Sequence, residues 1–217
     1  SPSYMKSLDR FFKEHKEYKI VHSHLDCLSA YPLKAAKKNG VPVRIAHSHN
    51  TSQEKNLKYL IKDYSKKQIP KYATHLFACG KEAGKWMFGK HKFQIMNNAI
   101  DAKKFIYNEE VRKRKRVELG VEDKFVIGHV GRFNLQKNHE FLVKRFADFA
   151  KTNEDAVLVL IGNGELQEKI KEMAKEYGIE IKVKFLGLRE DIPQLLQAMD
   201  LFLFPSLFEG LPVTLVE

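Results

Sequence analysis

The sequence predicts an α/β protein in two successive halves, each built on a parallel, doubly wound sheet. Three observations carry that expectation. Short apolar strands alternate with amphipathic helical stretches along the whole chain, which implies parallel pairing through right-handed crossovers with helices on both faces. A strand-poor, charged region over 98–124 separates the halves. Finally, 43% of the 217 residues are hydrophobic, enough to give each half a packed core.

In chain order, a helical pattern precedes the first strand, Tyr18–His22. Helix over about 28–39, strand Val43–His47, helix over about 54–70 and strand His75–Ala78 follow, then helix over about 81–89 and strand Phe93–Met96. The second half reads as strands Phe125–Val130, Ala156–Ile161, Lys182–Phe185 and Asp200–Phe204, separated by helices at about 138–152, 165–177 and 190–198. The expected division is therefore a first domain over 1–108, a charged linker over 109–124 and a second domain over 125–217. Doubly wound sheets normally carry more than four strands. The chain opens Ser1-Pro-Ser and stops at Glu217, in the first turns of a new helix, so both domains are expected to be parts of larger ones.

Composition narrows the classes. No apolar run approaches the ~20 residues that span a bilayer, and the polar, basic N-terminus from Lys6 is not a secretory signal. Cys27 and Cys79 fit no metal or redox spacing and read as buried free thiols in a reducing cytoplasm. The net charge of +11 fits an anionic membrane surface, a phosphorylated substrate or nucleic acid. The densest run, Arg112-Lys-Arg-Lys-Arg116, is bounded by Glu109, Glu110 and Glu118 and reads as a solvated helix face. Other lysines are scattered along helices rather than interleaved with aromatics, so nucleic acid is not expected.

The most informative stretch is Glu209-Gly-Leu-Pro-Val-Thr-Leu-Val-Glu217, directly after the apolar run Leu201-Phe-Leu-Phe-Pro205. It reads as strand, loop and helix N-terminus, with Pro212 at the first helical position. Gly210 lets a ligand approach the backbone, and unpaired N–H groups suit an anion. Carboxylates before and inside the helix can grip hydroxyls on either side of that anion. Phosphate flanked by polyols describes a nucleotide sugar.

Three further strand-to-helix loops belong with it. Gly131-Arg132 leads through Lys137-Asn138 into a helix, at the carboxyl end of a strand where open α/β sheets bind ligands. Arg132 can fork onto phosphate oxygens while Lys137 adds a compact charge; the plain alternative is a surface ion pair. Asn138 suits a helix cap. Gly162-Asn-Gly164 either admits a ligand or only makes a tight turn. In Leu186–Pro193, Arg189 can stack on or bond a base, and Asp191 reads as a helix cap. In the first half, His22-Ser-His24 and His47-Ser-His-Asn50 sit at strand carboxyl ends. Alternate strand residues share a face, which invites a metal; without acidic or cysteine partners the expectation is no metal, but one histidine donating to a phosphate or a substrate hydroxyl. His22 and His47 read as satisfied strand histidines.

These residues resemble the retaining GT-B glycosyltransferases of family 4 (glycosyl transferases group 1). Glu209–Glu217 looks like that family's Glu-x7-Glu motif. Gly131-Arg132 with Lys137-Asn138, Gly162-x-Gly164, Phe204-Pro-Ser206, His22-Ser-His24, His47-Ser-His-Asn-Thr51 and Asn97-Asn-Ala-Ile-Asp101 follow in the family's order. The resemblance covers almost the whole chain. It implies two Rossmann-like domains facing a cleft that closes on the donor, both incomplete here. It implies that Arg132 and Lys137 hold the donor diphosphate and stabilise the leaving group, with Gly131 beside them. Glu209 faces the donor sugar, and the 210–212 turn, with Gly210 and Leu211, offers N–H groups to sugar and phosphate. Glu217 takes the ribose hydroxyls, Arg189 lies near the base, and His49 serves the sugar or the reacting face. Glu209, His49, Arg132 and Lys137 are thus the expected catalytic set.

The same resemblance implies retention of anomeric configuration and no bound metal or other cofactor. A UDP-sugar is the expected donor. The wording of the motifs is most similar to bacterial capsular and exopolysaccharide enzymes, which implies a glycan or lipid-linked acceptor. It also implies a cytoplasmic location with peripheral contact at the inner face of an anionic membrane. The family's glycine-rich N-terminal loop and the helices after the second Glu are not in this sequence. Two other readings share some features: a GT-B nucleotide-sugar epimerase, disfavoured by the Glu-x7-Glu spacing, and a basic α/β module that binds nucleic acid or membrane.

Overall fold

A computed structural model describes residues 2–53, 57 and 59–217. The expected helix over 54–70 is present as α3, Tyr59–Tyr72. Its first turns fall on Glu54–Asn56 and Lys58, outside the described residues. The chain forms two compact units, Ser1–Ala99 with Phe208–Val213, and Ile100–Leu207 with Thr214–Glu217.

The first unit opens with α1, Pro2–Glu14, then β1, Ile20–Ser23, a 3-10 turn, and α2, Ala30–Lys38. β2, Val43–Ser48, α3, β3, His75–Ala78, α4, Lys81–Phe88, and β4, Gln94–Ile95, complete it. Its sheet is parallel throughout, ordered β1-β2-β3-β4. Leu33, Ile69, Ala78 and Cys79 close the main core, while Phe12, Ala35, Ala36 and Val41 form a smaller one. Cys27 and Cys79 are free and buried, as expected, and burial pushes the Cys27 thiol up to about 11.

The second unit contains α5, Glu109–Leu119, and β5, Phe125–Val130, followed by α6, His139–Ala150, and β6, Ala156–Ile161. α7, Gln167–Glu176, β7, Val183–Gly187, α8, Ile192–Gln197, and β8, Leu201–Phe202, follow, and a short α9, Val213–Val216, ends the chain. The parallel order is β7-β6-β5-β8. β6 is buried along its whole length. Leu158 and Leu160 point into a core with Phe133, Leu142 and Phe146, whereas Val157, Val159 and Ile161 meet Leu195 and Ala198 on the other face. Two apolar faces on one strand are what a doubly wound sheet requires.

The segment expected as a linker over 109–124 is a correction. It is α5 and its following turn, inside the second unit. Arg112 and Arg116 both reach Asp200, at 2.5 and 3.1 Å, and Lys115 reaches Asp191 at 2.6 Å. Lys115 and Arg116 are each only 8% exposed, so with Arg112 three of the five basic residues face inward instead of forming a solvated face. Spacing explains this: residues 112, 115, 116 and 119 lie on one side of a helix, while Lys113 and Arg114 stay outside.

Candidate functional site

Each unit gathers its predicted residues at the carboxyl ends of its own strands. In the second unit, the loops after β5, β6 and β7 line an open pocket of about 410 Å³. Its walls are Val130, Gly131, Arg132, Ile161, Gly162, Asn163, Leu188, Arg189 and Ile192, a size and a largely apolar lining that suit a small organic ligand. The floor is tight because Gly162, at φ +129, packs on the neighbouring loop; a Cβ there would stand 2.2 Å from the Gly131 carbonyl oxygen. Gly164 approaches the Phe133 backbone in the same way. The two glycines therefore admit the adjacent loop, a role that neither sequence reading named.

Arg132 projects from this wall with its side chain 69% exposed and donates to Glu165 Oε2 at 3.1 and 3.2 Å. The surface ion pair weighed as the plain alternative is thus present, on a guanidinium that remains accessible. Arg189 is held more firmly. It donates to both Asp191 oxygens at 2.7 Å and to Glu118 at 2.9 Å, and Arg189 with Lys115 holds the Asp191 carboxyl well below the usual range. Asp191 consequently makes no side-chain cap on α8, a correction to the sequence reading. Asn138 makes none on α6 either: it sits in the left-handed region at φ 55 and donates its amide to the Pro205 carbonyl. Lys137 lies over the Phe204 ring at 5.0 Å, where strand order reverses between β5 and β8. Beneath this loop His139 is buried against Phe133, and burial pushes its imidazole down to about 3.

Glu217 does not line the Arg132 pocket. It borders a second cavity with Leu196, Asp200, Phe202, Thr214 and Leu215, where burial raises its carboxyl above the usual range. α9 begins at Val213 and is one turn long, so Pro212 precedes the helix by one residue.

In the first unit the stretch Phe208–Val213 packs on the strand ends. The Thr51 hydroxyl donates to the Glu209 carbonyl at 2.7 Å, and the Asn98 amide donates to the Leu211 carbonyl at 2.8 Å. Gly210 is a close approach: a Cβ would stand 2.0 Å from the His49 carbonyl oxygen and 2.7 Å from Cys79 Sγ. Glu209, Gly210, Leu211 and His49 are therefore neighbours. Asp26, unremarked in the sequence, sets that neighbourhood. From the left-handed region at φ 44 its carboxylate accepts from the His49 backbone N–H at 2.8 Å and from the Asn50 amide at 2.6 Å. Nothing periodic marks such a residue; only a polar side chain just past a strand end hinted at it.

The histidines form one cluster. His22 Nε2 meets His47 Nδ1 at 3.2 Å, His24 Nδ1 meets His49 Nε2 at 2.7 Å, and the His47 and His49 rings stack at 4.3 Å. Burial, then neighbouring imidazoles, lower His22, His24 and His47, the last to about 4. His47 is only half the satisfied strand histidine expected: Nδ1 meets His22, but the buried Nε2 makes no hydrogen bond among the described residues.

Comparison with known proteins agrees with this architecture. Residues 110–217 match the family model described as glycosyl transferases group 1. The chain is 36% identical over 226 residues to a putative glycosyltransferase, EpsF, of Bacillus subtilis (strain 168), covering 99% of this chain and 58% of that protein. It is 28% identical to the UDP-Gal:alpha-D-GlcNAc-diphosphoundecaprenol alpha-1,3-galactosyltransferase of Escherichia coli, covering 98% and 59%. The chain thus spans less than two thirds of these relatives. Among solved structures, Anabaena Alr3699/HepE in complex with UDP-glucose superposes with a TM-score of 0.79 at 22% identity, over 92% of this chain and 56% of that one. WaaG, a lipopolysaccharide glycosyltransferase, gives 0.67 at 15% identity, over 86% and 60%. Two parallel sheets and these neighbours give the fold class as GT-B. Residues 110–217 thus carry a glycosyl transferases group 1 domain.

Proposed function

We propose that the protein moves a hexose from a UDP-sugar to a glycan or lipid-linked acceptor with retention of anomeric configuration, in cell-surface polysaccharide synthesis. The observation that carries this reading is the pocket at the carboxyl ends of β5, β6 and β7, with an exposed arginine on an apolar, glycine-tight wall. Support comes from the HepE neighbour, whose structures hold UDP and UDP-glucose, and from the E. coli relative, named for a UDP-Gal donor and a diphosphoundecaprenol acceptor.

In this reading Arg132 exchanges Glu165 for a diphosphate oxygen, and Lys137 adds a second cation where negative charge grows on the departing UDP. The bond from the anomeric carbon to the diphosphate oxygen breaks and a bond to the acceptor hydroxyl forms on the same face. The acceptor's proton passes to the departing phosphate. Glu209 and His49 serve the sugar, with the N–H groups after Gly210 and Leu211 beside them. Glu217 takes the ribose and Arg189 the base. The two cations carry the charge stabilisation, so the reaction as proposed needs no metal. The reaction lies on the cytoplasmic side, with basic surface against an anionic membrane; no helix among the described residues is long and apolar enough to cross one.

Calorimetric titration of UDP, GDP and ADP with chelator present tests the reading. Arg132→Ala and Lys137→Ala should each weaken UDP binding by about 1.5–3 kcal/mol, the scale of a charge-assisted contact. Undiminished affinity in both variants overturns the diphosphate assignment.

A further inference from the structure

The cluster at the ends of β1 and β2 has a geometry that stacking alone does not call for. β1 and β2 run in parallel with Val21 opposite Arg44, His22 opposite Ile45 and Ser23 opposite Ala46. The same register sets His24 beside His47, and alternation puts His22, His24, His47 and His49 on one face. One ring nitrogen from each of His22, His24 and His47 lies within 4.8 Å of the other two. The closest pair, His22 Nε2 and His47 Nδ1, is 3.2 Å apart. Two imidazole nitrogens each at ~2.0–2.1 Å from a tetrahedral zinc ion stand roughly 3.3 Å apart. The pair is therefore already at the spacing of a shared cation.

We propose that His22, His24 and His47 form a binding site for a late first-row divalent cation of the zinc class. The donor set decides the class: three neutral imidazoles suit zinc, cobalt or nickel, whereas magnesium and calcium take oxygen ligands. A second observation concerns His47, whose buried Nε2 makes no hydrogen bond among the described residues. Coordination through Nδ1 fixes the proton on Nε2. His24 gives up or shares its contact with His49, so His49 is the natural fourth ligand or the neighbour of an open position. Binding costs no net proton, since each neutral ring keeps its single N–H on the other nitrogen. The site adjoins His49, which the transfer reading gives to the sugar, but cation binding is measured without that reaction and stands or falls independently of it.

The test is titration of the untagged chain with Co²⁺, followed by visible absorption and competition with Zn²⁺. The expected result is one equivalent bound, with the intense bands of tetrahedral cobalt, abolished by Zn²⁺ and untouched by Mg²⁺. His24→Gln and His22→Gln, at exposed positions, should weaken binding at least about tenfold, whereas His91→Gln, outside the cluster, should not. His47 is buried, so its part is read in the unmutated protein from imidazole nitrogen resonances, where the rings of His22, His24 and His47 should shift on adding Zn²⁺. No saturable binding, affinity unchanged in both exposed variants, or shifts confined to other histidines overturns the site.

Discussion

The two units solve the same architectural problem with different polar chemistry. The second is held by charges turned inward: Asp200 takes Arg112, Arg116 and the Val126 backbone N–H, and Asp191 takes Arg189 and Lys115. The first is held at its strand ends by neutral groups, namely imidazoles, the Thr51 hydroxyl and the Asn98 amide, with Asp26 accepting from backbone and amide donors. Their strands differ to match. β6 is buried on both faces, whereas β1 reads exposed, intermediate, exposed, buried. A strand sealed on both sides tolerates ionic clamps only around its edges; a half-open one leaves rings free to gather and face a ligand.

That contrast can be broken. The largest effect is expected from Asp200→Ala, which strands two part-buried guanidiniums and should cost about 3–5 kcal/mol. Hydrogen exchange should show the loss in amides of β5, β6 and β8 and leave β2 and β3 protected. Equal loss in both units would erase the distinction. Next comes Gly162→Ala, where a positive φ and a 2.2 Å approach to the Gly131 carbonyl oxygen meet, with an expected cost of about 2–3 kcal/mol. UDP affinity should fall with it, since the displaced loop carries Arg132.

Acid should separate the units further. His47 and His139 have folded values of about 4 and 3, below the ~6.5 of an unfolded histidine. The unfolded chain therefore binds more protons, and stability is greatest above ~6.5 and falls as pH drops toward the folded values, by up to ~1.4 kcal/mol per pH unit for each group. Among the described histidines with a lowered value, His22, His24 and His47 lie in the first unit and His139 in the second, so the first unit should lose protection first. His139→Phe keeps the stack on Phe133 and should flatten only the second unit's profile. A profile unchanged by it would remove His139 as the cause. The smallest effect belongs to Glu165→Gln, which frees Arg132 from an exposed, solvent-screened pair and should tighten UDP binding severalfold at most. Weaker binding would mean that Glu165 aims Arg132 rather than competing for it.

What could be read from sequence followed from what repeats in sequence. β3, β5 and β6 have the expected bounds: β6 is one unbroken apolar run, and β3 and β5 are short, largely apolar stretches. β4 and β8 are shorter than their apolar runs because only two residues of each pair with a neighbour. Local rules failed where a distant partner intervened. Asn138 and Asp191 have good capping identities, yet Pro205 and Lys115 with Arg189 take their side chains. The placing of Gly131, Arg132 and Arg189 on one pocket followed from strand ends. The Glu209 neighbourhood did not, because Thr51, Asn98 and Asp26 act through single bonds to distant atoms and leave no period to detect.

The pinning of Glu209 and Leu211 by Thr51 and Asn98 has a consequence for how the chain is made. The first unit is discontinuous: Ser1–Ala99 is completed by Phe208–Val213, and all of Ile100–Leu207 lies between them in sequence. During vectorial synthesis the first sheet emerges and folds while its last segment is still unmade, and the second unit forms meanwhile. Thr51 must then wait 158 residues for its acceptor. The Glu209 segment can therefore join the first sheet only after Ile100–Leu207 has been made, by a long-range docking step.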